Sequence, residues 1–197
     1  MKARLCVFAL VLAFGFGSNA FAAPISYFAL LSGPNEAPPN ASPGIGWALV
    51  TIDTDAHTMA IEAAFSDLMG LTTAAHIHCC TMTPGDGTAG VATQTPSFIG
   101  FPLGVTAGVF ANVYDTLDAA TYRAGFITAN GGTAAGAEAA LALGMADGKT
   151  YFNIHTNVFS GGEIRGFLQP VPEPASILLL GVGLAGLVGI GRKRLQA

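Results

Sequence analysis

Three histidines are the residues of this chain best placed to do chemistry. His76 and His78 stand two apart in Ala75-His76-Ile77-His78, and His155 lies in Asn153-Ile154-His155-Thr156. In an extended strand, residues i and i+2 project from one face about 6.6 Å apart, and a neighbouring strand lies about 4.8 Å away. With the strand of His155 beside that of His76 and His78, three imidazoles converge while Ile77 faces the core. Neutral imidazoles suit zinc or copper, with Glu163, Cys79 or water as a fourth ligand. The alternative is a polar seam, in which the rings satisfy backbone carbonyls and Glu163 pairs with Arg165 or His155. Cys79 and Cys80 are adjacent in a chain expected to be exported. A vicinal disulfide, thiols near a metal and intermolecular pairing all remain open for them. His57 sits at a hairpin end, away from the cluster.

Other chemistries lack their signatures. The Gly-rich runs carry no phosphate-loop Lys in the required order, no serine has the G-x-S-x-G context, and no carboxylate pair is singled out. The expectation is a non-enzymatic protein.

The elements that must position these residues are mostly strands. Tyr151–Thr156 alternates apolar and polar residues, Gly161-Gly162 makes a turn, and Glu163–Leu168 runs out as a second strand. Ala74–His78 is a short strand. Residues 25–31, 46–52, 57–65 and 107–114 supply the others, with Ala48, Val50 and Ile52 on one face and Met59, Ile61, Ala63 and Phe65 facing one way. Residues 79–106 form a long Gly/Thr/Pro-rich connection anchored by Phe98, Ile99, Phe101 and Leu103. A helical turn is expected at 117–122. Thr133 caps an alanine-rich helix to about Met145 that buries Leu141 and Met145. The expected fold is all-β, an antiparallel β-sandwich with one short inserted helix.

Both ends address the chain. Lys2 and Arg4 precede an apolar run from Leu5 to Phe16, and Ala20-Phe21-Ala22 fits an A-x-A cleavage site, so residues 1–22 are expected to be a signal peptide. At the other end, Pro172-Glu173-Pro174 precedes an uncharged stretch at 175–191 and the basic Arg192-Lys193-Arg194. As a helix that stretch is about 25 Å long, near the lower limit for crossing a bilayer, with the basic cluster held in the cytoplasm. Residues 23–170 form the domain, and 171–197 the tail. The formal net charge of −4 hides a split: residues 23–170 hold eleven acids against the three bases Arg123, Lys149 and Arg165, a balance of −8. A domain this acidic repels phosphate backbones, so no nucleic-acid partner is expected.

Two resemblances rest on these residues. The order Pro-Glu-Pro, short apolar helix and basic cluster resembles the PEP-CTERM sorting tail. That resemblance implies an exosortase as partner, cleavage near Pro172–Pro174, transient residence in the inner membrane, and then the cell surface or extracellular matrix. Leu31–Pro38 (LSGPNEAP), Ala75–His78 (AHIH) and Asn153–Leu168 (NIHT…GGEIRGFL) together resemble the CHRD domain. This implies an extracellular β-sandwich and carries no settled enzymatic activity. The joint expectation is an exported surface or matrix module, with extracellular polysaccharide as a candidate partner. The alternative is a copper- or zinc-binding, redox-active exported protein using the three histidines.

Overall fold

The computed structural model describes residues 23–172 and Gly183. The expected signal peptide at 1–22 and, apart from Gly183, the membrane segment at 175–191 lie outside the described residues, as do Glu173, Pro174, Arg192, Lys193 and Arg194. Among the described residues no helix is long and apolar enough to cross a membrane.

Among the described residues eight strands follow in order: β1 (Ile25–Ser32), β2 (Ile45–Asp53), β3 (Thr58–Ser66), β4 (Thr72–His78), β5 (Gly108–Asp115), β6 (Tyr151–Thr156), β7 (Ile164–Phe167) and β8 (Gln169–Pro170). Two helices, α1 (Ala124–Ala129) and α2 (Ala134–Ala146), lie between β5 and β6. All paired strands are antiparallel, in the order β4-β6-β7-β1-β2-β3-β5 with β8 beside β1.

The all-β antiparallel expectation holds, but the sandwich gives way to one continuous, strongly curled sheet, a half-barrel. The reason is β7, which pairs with β6 along one edge and reaches Ser32 of β1 through Arg165 along the other. This joins what would have been two separate sheets. Gly166 permits the approach: a Cβ there would lie 2.2 Å from the Leu30 carbonyl oxygen.

The concave face holds the core. Tyr27, Ala29 and Leu31 of β1, Ala48, Val50 and Ile52 of β2, and Met59, Ile61, Ala63 and Phe65 of β3 are buried there. Ala75 and Ile77 of β4 join them with Phe152 and Ile154 of β6, so period-2 alternation turns the intervening residues of β4 and β6 to the outer face.

The two edge strands, β4 and β5, are bridged by the connection at 79–107. Its backbone bonds the free edge of β4: Ala92 N donates to Ile77 O at 3.0 Å, Gly104 N to Thr72 O at 2.8 Å, and Phe98 N to Ala75 O at 3.3 Å. Phe98 packs on Phe110, Tyr114 and Phe152 with centroids 5.7–6.0 Å apart, and Phe101 lies 5.5 Å from Phe65. Ile99 and Leu103, expected as further anchors, are exposed.

The second helix is also a departure from the single one expected; a 3-10 turn at Ala119–Thr121 precedes α1. The Thr133 hydroxyl caps α2 by accepting from Gly136 N, and Leu141 and Met145 are fully buried. Glu138 on α2 accepts from the Thr116 hydroxyl and faces His57 Nδ1 at 3.0 Å. His57 is thus tied to a carboxylate while its side chain stays 42 % exposed at the hairpin end.

Candidate metal centre

The antiparallel register of β4 and β6 sets Ala74 opposite His155, His76 opposite Asn153, and His78 opposite Tyr151. All three histidines therefore project from the outer face of the sheet, opposite Ala75, Ile77, Phe152 and Ile154. Ring centroids of His76 and His155 are 5.2 Å apart, and each lies 5.9 Å from that of His78. One ring nitrogen from each histidine lies within 4.8 Å of the others.

Each ring is also held by a hydrogen bond from one of its nitrogens. His76 Nε2 donates to the Pro96 carbonyl at 2.8 Å, His78 Nδ1 to Ala89 O at 2.9 Å, and His155 Nδ1 to Ser160 O at 3.0 Å. A carbonyl oxygen only accepts, so each of these nitrogens carries the proton, and the lone pair falls on the other one. Those others, His76 Nδ1, His78 Nε2 and His155 Nε2, are buried and make no hydrogen bond among the described residues. Burial is the main cause that pushes His76 and His78 down to about 4, with the neighbouring His155 adding repulsion to both. His155 is also lowered by burial. The cluster is neutral at physiological pH.

An outer layer supports it. The His78 ring stacks on Tyr151 at 4.7 Å and 9°, and the Tyr151 hydroxyl donates to the same Ala89 carbonyl at 3.2 Å. The Arg165 guanidinium lies 4.7 Å from the Tyr151 ring centroid and donates to Gly87 O. Arg165 faces Glu36 at 3.9 Å, and Asn153 Nδ2 donates to both oxygens of Glu36 at 3.0 and 3.2 Å. Burial raises the Glu36 carboxyl to about 7, against the lowering effect of Arg165 and Asn153.

Two expected fourth ligands and one expected ion pair are corrected. Glu163 is fully buried, and its oxygens take hydrogen bonds from Ser42 Oγ and Thr156 Oγ1, both at 2.6 Å, and from the backbone N–H groups of Met69 and Gly70. Burial alone would raise its pKa, but these four donors outweigh it and hold the group low. Glu163 neither joins the histidines nor pairs with Arg165, whose carboxylate neighbour is Glu36. Cys79 is bonded to Cys80 in a vicinal disulfide, which removes the thiolate a metal would need.

Sequence reasoning missed Glu36 and Asn153. Asn153 shares a face with Tyr151 and His155 by the same i, i+2 rule that paired His76 with His78, so its signal was present. Glu36 lies in a Pro-rich loop with no periodicity, and its one signal was its place in the Leu31–Pro38 stretch that resembles the CHRD domain.

An antiparallel half-barrel with a three-histidine cluster on its convex side defines a small β domain built around a polar outer site. The chain matches the CHRD domain over residues 27–168 and the PEP-CTERM protein-sorting motif over 170–194. It belongs to the CHRD domain family and carries the sorting motif of exosortase-processed, exported proteins destined for the cell surface. Neither the curated proteins nor the solved structures contain a match to it.

Proposed function

We propose that this protein carries one transition-metal ion to the cell surface, copper in preference to zinc, on His76 Nδ1, His78 Nε2 and His155 Nε2. The observation behind this is the set of three buried nitrogens whose opposite ring positions are each anchored to a backbone carbonyl. A polar seam accounts for the carbonyl bonds but leaves three acceptors buried and unpaired. Each costs about 1–3 kcal/mol, together comparable with the roughly 5–15 kcal/mol that stabilises a whole domain. Coordination uses those lone pairs, and a hydrogen bond from the opposite ring nitrogen is the usual support of a ligating histidine.

A bound four-coordinate ion with bonds of about 2.0–2.1 Å draws its ligand nitrogens to roughly 3–4 Å apart, closer than they stand here. Loading therefore pulls the rings inward. Three neutral nitrogens with neither thiolate nor carboxylate favour copper over zinc on intrinsic affinity. The role is binding and display rather than turnover. Extracellular polysaccharide stays a candidate partner on the strength of the destination alone.

The test is dialysis of the mature protein against chelator, then equal copper and zinc, with metal analysis and a melting curve. One copper per chain and a raised Tm are expected in the wild type, and neither in His76→Ala. Equal, substoichiometric retention of metal by both proteins would refute the site.

A further inference from the structure

Among the described residues, six buried side-chain nitrogen or oxygen atoms make no hydrogen bond. Three are the histidine nitrogens above, and a fourth is Asn153 Oδ1. Asn153 is 2 % exposed, is the cross-strand partner of His76, and stands two residues before His155 on the same face. Directly opposed residues on paired strands have Cβ atoms about 4.5–5.5 Å apart, within side-chain reach of one another.

The orientation of the amide is set from its far side. Both oxygens of Glu36 face Asn153 within 3.2 Å, so when Glu36 is ionised the NH2 group points at them and the carbonyl oxygen points away. Glu36 is held in turn beside Arg165. Gly162, at φ 134°, covers the amide closely; a Cβ there would lie 2.7 Å from Asn153 Nδ2, 2.8 Å from Asn153 Oδ1 and 2.7 Å from Glu36 Oε1. A side chain at 162 would displace the pair.

We infer that Asn153 is the fourth polar group of the three-histidine site, its Oδ1 accepting a hydrogen bond from a small oxygen ligand at the remaining coordination position, with Glu36 as the positioning residue. This rests on the metal reading above. Three histidines leave one position of a four-coordinate ion for an exogenous ligand. An amide oxygen has lone pairs and no proton, so it favours a ligand bearing hydrogen on oxygen, such as water, over an aprotic anion. The site thereby discriminates among small ligands by a group that does not itself hold the ion.

The test uses copper(II)-loaded mature protein titrated with azide, an anion with no proton to donate, followed by absorption and electron paramagnetic resonance. Removing the acceptor in Asn153→Leu deprives bound water of its hydrogen bond, so azide affinity should rise about tenfold while copper stoichiometry stays at one. Glu36→Gln keeps the size of the side chain but lets its NH2 group donate to Asn153 Oδ1. It should give a smaller rise in the same direction, and it guards against misfolding of the leucine variant. Copper bound at one per chain with wild-type azide affinity in both variants overturns the role of Asn153 and leaves the three-histidine site standing. Wild-type protein that takes no copper overturns both.

Discussion

The nitrogens that face one another in the cluster belong to rings fixed by two loops: Pro96 and Ala89 lie in the connection after β4, and Ser160 in the turn after β6. Convergence was legible in the sequence, because strand alternation and one register choice place His76, His78 and His155 on a common face. The tautomers were not, since they depend on carbonyls that lie 20 and 11 residues from their histidines in the longer loop. Glu163 shows the opposite failure. Its charge suggested a ligand or an ion pair, but four donors at the strand end claim it, and none is periodic with it.

Replacing Glu163 by Gln should therefore cost roughly 2–4 kcal/mol, because a carboxylate facing four donors becomes an amide that can accept on one atom only. A melting curve should show Tm lowered by about 5–15 °C, with copper stoichiometry of the folded protein intact. A loss of copper without loss of stability would restore Glu163 as a ligand.

Titration supplies a second check at this scale. His76 and His78 ionise near 4 when folded against an ordinary 6.5, so the unfolded chain binds the extra protons between those values. Their contribution is complete above pH 6.5 and is lost as pH falls through 4, on the order of a few kcal/mol each. Glu36, raised to about 7, acts oppositely: its contribution is complete below its ordinary 4.5 and fades as pH rises through 7. Two histidines outweigh one carboxyl, so metal-free protein should lose denaturant stability from pH 6.5 to 4.5. A flat profile over that range would contradict neutral, buried rings.

Among the elements, strand identities followed from period-2 patterns, and α2 from its Thr133 cap and the Leu141, Met145 spacing. The pairing order did not. Whether strands form two sheets or one depends on β7 meeting β6 and β1 together, which no local pattern encodes. Gly166 is the residue on which that junction turns. Gly166→Ala sets a methyl group against the Leu30 backbone, where no flexible side chain can yield. The expected cost is about 1–3 kcal/mol or more, read as a lower denaturation midpoint. Unchanged stability would mean that β7 and β1 are not so closely joined. The connection at 79–107 was legible as a long loop needing anchors. Its role as a cover for the edge of β4 was not, because those bonds run through backbone.

At the scale of the whole molecule, an acidic domain lies ahead of a sorting motif with a basic end. Replacing Pro172, Glu173 and Pro174 together by alanine should block exosortase processing, and fractionation should then find a longer, membrane-retained form in place of the surface form. Normal processing would place the recognition elsewhere in the motif. In the proposed function three imidazoles of this exported domain share one ion. X-ray absorption spectroscopy of the copper-loaded mature protein counts those ligands directly. The account predicts three histidine imidazoles and one further oxygen at about 2.0 Å. Sulfur in the first shell, or fewer than three imidazoles, would contradict it.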